Sequence, residues 1–160
     1  MTSKELIETL QLLPHPEGGF YKETYRSSES LMNERQQERS VSTAIYYLLE
    51  KGDMSALHRI KSDELWFFHQ GEPLEIVSIE GGAWQVTILG NDVSQGEVPQ
   101  ALVPANTWFG ARVKNNKGYS LVSCMVAPGF DFSDFEMGMR NELVQKFPTL
   151  HELIEEFTRS

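Results

Sequence analysis

The chain has 160 residues and a formal net charge of −9 at pH 7. This length predicts one domain, residues 1–160, with a single substantial core. The negative charge disfavours binding to a nucleic-acid backbone, which requires clustered Lys and Arg. No run of 18 apolar residues is present, so we expect no membrane span. A single cysteine and an N-terminus that does not resemble a secretory signal favour a cytoplasmic protein.

The N-terminal residues predict a short helix. Thr2 and Glu5 have the spacing of a capping box, and apolar residues recur at helical spacing as far as Leu13. The prolines that follow would end this helix, because proline cannot donate the backbone hydrogen bond that a helix needs. A turn and then a strand are predicted for residues 15–26. The polar, aperiodic residues 27–40 predict a flexible loop.

A strongly apolar strand is predicted at residues 43–49. Both of its alternating sets of side chains are apolar, which is typical of a strand covered on both faces. The interior of a barrel can cover one face. A second subunit is the economical cover for the other, so we expect a homodimer.

Further strands follow at short intervals. Gly81 and Gly82 separate two of them and predict a two-residue hairpin, whose turn requires positive φ. The strands are predicted at residues 74–80, 84–88, 101–104, 108–113 and 119–126. Many short strands with regular turn signals favour an all-β sandwich or barrel.

The C-terminal residues combine an aromatic cluster with helices. Phe130, Phe132 and Phe135 need a hydrophobic place to dock. Two helical segments then end the sequence, and the spacing of Thr149 and Glu152 predicts a cap for the second. We therefore expect the β-domain to carry a short N-terminal helix and C-terminal helices.

The central segment from residue 52 to residue 71, GDMSALHRIKSDELWFFHQG, has the spacing of the first cupin motif. After its initial glycine come five residues, His58, one residue, Ile60, three residues, Glu64, six residues and a final glycine. In a metal-binding cupin the position of Ile60 is a second histidine. The second cupin motif ends in a ligand histidine, and Phe109 occupies that position here.

Several blocks together resemble the cupin-5 family of the cupin superfamily. They are residues 14–26, 42–49, 52–71, 103–108 and 126–132. The resemblance implies a double-stranded β-helix, the cupin jelly roll, usually paired as a homodimer. It also implies distant kinship with sugar-nucleotide epimerases, seed storage proteins and cupin sugar isomerases. It implies no particular reaction, because fold does not determine function.

The ligand positions of the motifs argue against a bound metal. Only His58 and Glu64 remain of four positions, whereas a stable zinc or iron site generally needs three or four protein ligands. We therefore expect no metal and no other cofactor.

The interior of the barrel predicts an aromatic pocket. If Glu64 faces inward, strand parity places Trp66 and Phe68 on the same face, beside His58 and Phe109. Apolar walls with a few polar groups are typical of small-molecule sites. The same aromatic side chains could instead simply fill a small barrel.

Three further residues are weaker candidates for ligand contact. Tyr21 and Arg26 lie on an aromatic-rich strand, where the arginine could hold a phosphate or carboxylate; a solvated strand edge explains them equally well. Tyr47 points either into the barrel or into a subunit interface. Parity does not decide between these two.

Four functions remain open from the sequence. The first is a metal-independent cupin that binds a carbohydrate or nucleotide sugar. The second is an epimerase or isomerase in which His58 is the general base and Glu64 orients it. The third is a structural or interaction protein with a vestigial pocket. The fourth, a metal-dependent enzyme, would require metal in the purified protein.

Overall fold

A computed structural model of the chain describes residues 1–159. Its helices are α1 (Ser3–Leu10), α2 (Arg140–Lys146) and α3 (His151–Glu156). Its strands are β1 (Leu13–Pro14), β2 (Phe20–Arg26), β3 (Ser30–Met32), β4 (Glu38–Ser40), β5 (Thr43–Glu50), β6 (Met54–Arg59), β7 (Asp63–Gly71), β8 (Leu74–Glu80), β9 (Ala83–Leu89), β10 (Gln100–Val103), β11 (Trp108–Val113), β12 (Tyr119–Ala127) and β13 (Glu136–Met137).

Two antiparallel sheets face each other and enclose the main core. Six strands form one sheet in the order β1-β2-β5-β12-β7-β10, and five form the other in the order β13-β6-β11-β8-β9. This double-stranded β-helix confirms the predicted jelly roll. Both sheets supply inward apolar side chains. Among them are Tyr47, Leu49, Trp66, Val122 and Cys124 from the larger sheet, and Leu74, Ile76, Leu89, Phe109 and Ala111 from the smaller.

The helices cover the outer faces of the sheets. Helices α2 and α3 pack on the five-stranded sheet, where Ile154 and Phe157 are buried in a second apolar cluster with residues of β6, β8 and β11. Helix α1 packs on the six-stranded sheet and buries Leu48. Part of the outer face of β5 is therefore covered by the chain itself, while Leu102 on the same sheet stays 55% exposed. The homodimer stays a prediction.

Helix α1 begins as predicted and ends early. Thr2 and Glu5 form the capping box, with the Glu5 N–H 3.2 Å from the Thr2 hydroxyl. Gln11 then adopts a left-handed conformation (φ 57°), which ends the helix before the prolines. Leu13, expected on the helix, lies instead in β1. None of the helices in residues 1–159 is long and apolar enough to span a membrane.

The turn predictions have two outcomes. The hairpin between β8 and β9 is confirmed, with φ of 60° at Gly81 and 79° at Gly82. The prediction of a flexible loop at residues 27–40 is wrong in part, because β3 and β4 pair there. The side chain of Asn33 forms this turn by accepting two backbone N–H groups, each at 2.9 Å. The hairpin lies outside both large sheets, so its strands need no apolar alternation.

The cap predicted for the last helix does not form. Residues 148–150 make a 3₁₀ turn, and α3 begins after it at His151 with no side-chain cap. Pro148 is the first residue of that turn, a position at which a missing N–H costs little.

Candidate functional site

A cavity of about 360 Å³ opens between the two sheets. Strands β2, β5, β6, β7 and β12 line it, together with the loop between β1 and β2 and the segment after β12. Its titratable lining residues are His15, Glu17, Tyr21, Glu23, Arg26, His58, Glu64, Cys124 and Asp131. Its other lining residues are Thr43, Ala44, Ile45, Ile60, Val126, Phe130, Phe132 and Phe135. The interior is thus open at one end of the barrel and filled elsewhere.

His58 is buried on β6, and both of its ring nitrogens have partners. Nδ1 lies 2.7 Å from the carbonyl oxygen of Ala56. Because a carbonyl can only accept, Nδ1 carries a proton. Nε2 lies 2.6 Å from Oε2 of Glu17, a buried residue of the loop between β1 and β2. Neither nitrogen is free for a ligand.

The contact between His58 and Glu17 is an ion pair. Burial opposes charge on both groups, but the Glu17 carboxylate raises the pKa of His58 above its ordinary value. Burial likewise opposes ionisation of Glu17, yet the charge and hydrogen bond of His58 hold its pKa below the ordinary value. Both directions favour an imidazolium that donates to a carboxylate.

His15 is the second histidine of the cavity. Its Nδ1 accepts the backbone N–H of Glu17 at 3.1 Å, and its ring lies edge-on to Tyr21 with 4.6 Å between centroids. Burial lowers the pKa of His15 more than the Glu17 carboxylate raises it. His15 is therefore a neutral imidazole whose proton is on Nε2.

Glu64 has a carboxyl group with different surroundings. It enters the cavity from β7, is buried, and has within residues 1–159 no hydrogen-bond partner for Oε2. Burial raises the pKa of Glu64, and the negative charge of Glu17 raises it further, to about 8. At neutral pH the two buried carboxyl groups of the cavity thus differ, with Glu17 ionised and Glu64 protonated.

Phenylalanines from the segment between β12 and β13 form one wall of the cavity. The rings of Phe130 and Phe132 are 4.8 Å apart, and those of Phe132 and Phe135 are 6.3 Å apart. Phe135 also stacks on His58 with 5.3 Å between centroids. The predicted aromatic cluster docks here, against the ion pair.

An arginine–glutamate pair lies at the exposed rim. Arg26 donates to both carboxylate oxygens of Glu23, at 2.6 and 3.2 Å, and to the carbonyl oxygen of Phe130 at 3.2 Å. Its side chain is 45% exposed. Arg26 is therefore the cationic group that a ligand would meet on entry.

The structure divides the predicted site residues into two groups. His58, Glu64, Tyr21 and Arg26 line the cavity. Glu64 and His58 were expected to pair, and this expectation is corrected, because Glu17 is the partner of His58. A histidine with both nitrogens occupied has no lone pair for a substrate proton, so the basis for His58 as general base is lost.

The other four predicted residues, Trp66, Phe68, Phe109 and Tyr47, pack against the main core and do not line the cavity. Strand parity does turn Trp66 inward with Glu64, but the open space ends at the first inward residue of β7 and aromatic rings fill the rest. Two of the four support the site from behind. Phe109 packs on the ring of His58, 4.1 Å between centroids, and the Tyr47 hydroxyl donates to the carbonyl oxygen of Gly18.

Sequence reasoning missed His15 and Glu17. Both lie in a loop, where neither strand parity nor helical spacing applies. Their signal was the Pro-x-Pro-Glu-Gly-Gly run, which supported the family resemblance. Gly18 and Gly19 that follow adopt φ of 114° and 76°, and this backbone path brings Glu17 to His58.

Gly19→Ala is expected to lower the free energy of unfolding by about 2–4 kcal/mol, measured by chemical denaturation. A Cβ there would lie 2.6 Å from Leu49 Cδ2 and 2.7 Å from the Leu48 oxygen. Gly52→Ala is the matched control, because Gly52 has a similar φ of 85° but no neighbouring atom within 4 Å. It should cost only about 1 kcal/mol. Equal losses would contradict close packing of this loop.

The polar groups of the cavity do not fit a metal. No three His, Cys, Asp or Glu side chains within residues 1–159 are arranged to hold an ion. The reason is chemical: both nitrogens of His58 are engaged, and Nδ1 of His15 accepts a backbone N–H. Burial beside Glu64 raises the pKa of Cys124, so its thiol stays protonated.

Comparisons with known proteins agree on the fold. The profile of a family described as Cupin superfamily (DUF985) matches residues 4–138. Uncharacterized protein YML079W of Saccharomyces cerevisiae is 30% identical over 145 residues, which cover 82% of this chain and 72% of the yeast protein.

Solved structures show the same similarity. A hypothetical protein from Leishmania major superposes with a TM-score of 0.95 at 36% identity, over 100% of both chains. Protein SO0799 from Shewanella oneidensis superposes with a TM-score of 0.91 at 37% identity, and the match covers 99% of this chain and 98% of the Shewanella protein. A cupin-2 domain from Rhodospirillum rubrum superposes with a TM-score of 0.62 at 12% identity, over 91% of this chain and 87% of that domain's chain. This similarity is one of fold alone.

Proposed function

Because the chain belongs to the cupin-5 family of the cupin superfamily, we propose that its open barrel end binds a small organic molecule without an intrinsic metal, and that this ligand is a carbohydrate or nucleotide sugar. The cavity is the observation that carries the proposal. Its volume of about 360 Å³ falls within the range of small-molecule pockets.

The chemistry of the lining supports the sugar class. Phe130, Phe132 and Tyr21 offer aromatic faces, on which sugar rings and nucleobases stack. The carboxyl groups of Glu17 and Glu64 offer hydrogen bonds to hydroxyl and carbonyl groups. Arg26 at the rim suits a phosphate that extends toward solvent.

Thermal-shift titration with D-fructose, D-galactose and UDP-glucose tests the proposal. At least one probe is expected to stabilise the protein, by about 2.7 kcal/mol at a concentration of 100 Kd. Phe132→Ala should weaken that binding about tenfold through loss of a stacking face.

Val86→Ala is the control, because Val86 is 51% exposed, as Phe132 is, but lies outside the cavity. Failure of every probe to shift the unfolding temperature would refute the sugar ligand. Equal affinities of the two variants would refute the aromatic wall as its contact.

A further inference from the structure

Four titratable groups surround the inner end of the cavity, and within residues 1–159 Glu64 is the one that forms no ion pair or hydrogen bond with the other three. Glu17 and His58 bind each other, and His15 accepts the N–H of Glu17. Oε2 of Glu64 has no partner within the described chain, although burying a polar atom unpaired costs free energy. Such an atom beside open space is explained when a ligand supplies the missing hydrogen bond.

We propose that Glu17 and Glu64 are the general base and general acid of an isomerase site, which enolises a sugar that carries a free or ring-opened carbonyl group. This inference rests on the proposed binding function and adds a reaction to it. Both side chains line the same cavity, Glu64 from β7 and Glu17 from the loop between β1 and β2, where the Glu17 carbonyl oxygen accepts the N–H of Ala56 on β6.

The two carboxyl groups have the protonation states that these roles require. Glu17 is ionised because it accepts from the His58 imidazolium. Burial and the charge of Glu17 raise the pKa of Glu64, and they outweigh the charge of His58 and the indole of Trp66, which lower it. Tyr47 and Cys124, the other titratable groups beside it, are neutral because burial raises the pKa of each. Burial therefore keeps its proton in place at neutral pH. Paired groups whose pKa values are pushed apart are the usual arrangement for acid–base catalysis.

The reaction balances without any further reagent. A carboxylate oxygen of Glu17 takes the proton from the carbon next to the carbonyl, and the C–H electron pair becomes the C=C bond of an enediol. The carbonyl π electrons take the proton of Glu64 as the new O–H forms. Glu17 ends neutral and Glu64 ends ionised; return of the Glu17 proton to the neighbouring carbon, with Glu64 regaining a proton from the enediol hydroxyl, completes an isomerisation.

His58 is a positioning residue in this scheme. Its two nitrogens are held by Ala56 and Glu17, so it does not reach the ligand as a base. Its positive charge keeps Glu17 ionised before the reaction. The pair of Glu17 and His58 is neutral overall and supplies no free cation at the inner end, so a phosphate of the ligand is expected near Arg26 at the rim.

Proton transfer is measurable without a known product. Wild-type protein in D₂O with D-fructose, D-xylulose or D-fructose 6-phosphate is expected to exchange the protons next to the carbonyl, followed by NMR. Glu17→Gln and Glu64→Gln should each slow this exchange about 100-fold or more while still binding the sugar. Glu142→Gln, an exposed substitution on α2, should leave the exchange unchanged.

The outcomes separate the two proposals. A probe that binds without exchange, or exchange that survives both glutamine variants, overturns the acid–base pair and leaves the binding function standing. Failure of all three ketoses to bind overturns the carbonyl-sugar ligand and this inference with it. A measurement without ligand is independent of both: ¹³C NMR of carboxyl-labelled glutamate should show Glu64 protonated and Glu17 ionised at pH 7, and an ionised Glu64 overturns the inference.

Discussion

Glu17→Ala is expected to lower the free energy of unfolding by about 3–5 kcal/mol at pH 6, measured by urea denaturation. The substitution removes the carboxylate that lies 2.6 Å from Nε2 of His58 and leaves a buried ring without its counter-ion. The ring then loses its proton, so ¹⁵N NMR of His58 should report a pKa below that of the wild type. Both effects follow from one deleted charge.

Glu136→Ala is the control for this prediction. Glu136 pairs with Arg59 at 2.8 Å, but its side chain is 52% exposed, so its loss should cost less than about 1 kcal/mol. A double variant Glu17→Ala/His58→Phe should recover part of the lost stability, because phenylalanine has no buried ring nitrogen left without a partner. If Glu17→Ala costs no more than Glu136→Ala, the pair is not an ion pair.

Glu64→Gln is expected to change the pH dependence of stability. The pKa of Glu64 is raised from 4.5 in the unfolded chain to about 8 in the fold, so the folded state binds its proton more tightly. This contribution is complete below pH 4.5 and is lost as the pH rises through about 8. Glutamine does not titrate, so the free energy of unfolding of the variant should rise relative to that of the wild type across that pH range, by at most about 5 kcal/mol.

Unfolding free energies of both proteins at pH 5, 7 and 9 measure this gain. His58 also contributes stability that is lost as the pH rises through its raised pKa; Glu17 is the main cause of that raised pKa and Glu64 the smallest, so this contribution is largely kept in the variant. The free energy of unfolding of Glu142→Gln should change with pH as that of the wild type does at all three pH values, since Glu142 is exposed. Parallel curves for Glu64→Gln would contradict a protonated Glu64.

The position of a side chain could be predicted from the sequence where the residue lies in a strand or helix with a regular repeat. Strand parity placed Glu64 and Trp66 on the inner face correctly, because side chains alternate over the first half of β7, before its pairing with β12 shifts register between Phe68 and Gln70. It could not locate the open end of the barrel. The point at which the cavity ends depends on how many aromatic rings fill the interior, and all the strands together determine that number.

The partner of His58 was beyond sequence reasoning for a different reason. Glu17 is 41 positions away in a loop whose path is fixed by positive-φ glycines and by contacts with Met54, Tyr47 and Arg159. No local pattern encodes those contacts. The hairpin in residues 27–40 was missed likewise, because a side chain of Asn33 defines it and apolar residues do not.

The backbone of Glu17 is held by residues that are far apart in the order of synthesis. Its carbonyl oxygen accepts from the N–H of Ala56 at 3.0 Å and from the Arg159 guanidinium at 3.1 Å, while Phe157 accepts the N–H of Leu57. The contact with Arg159 joins residues 142 positions apart, so the placement of the buried Glu17 carboxylate depends on docking of the C-terminal segment.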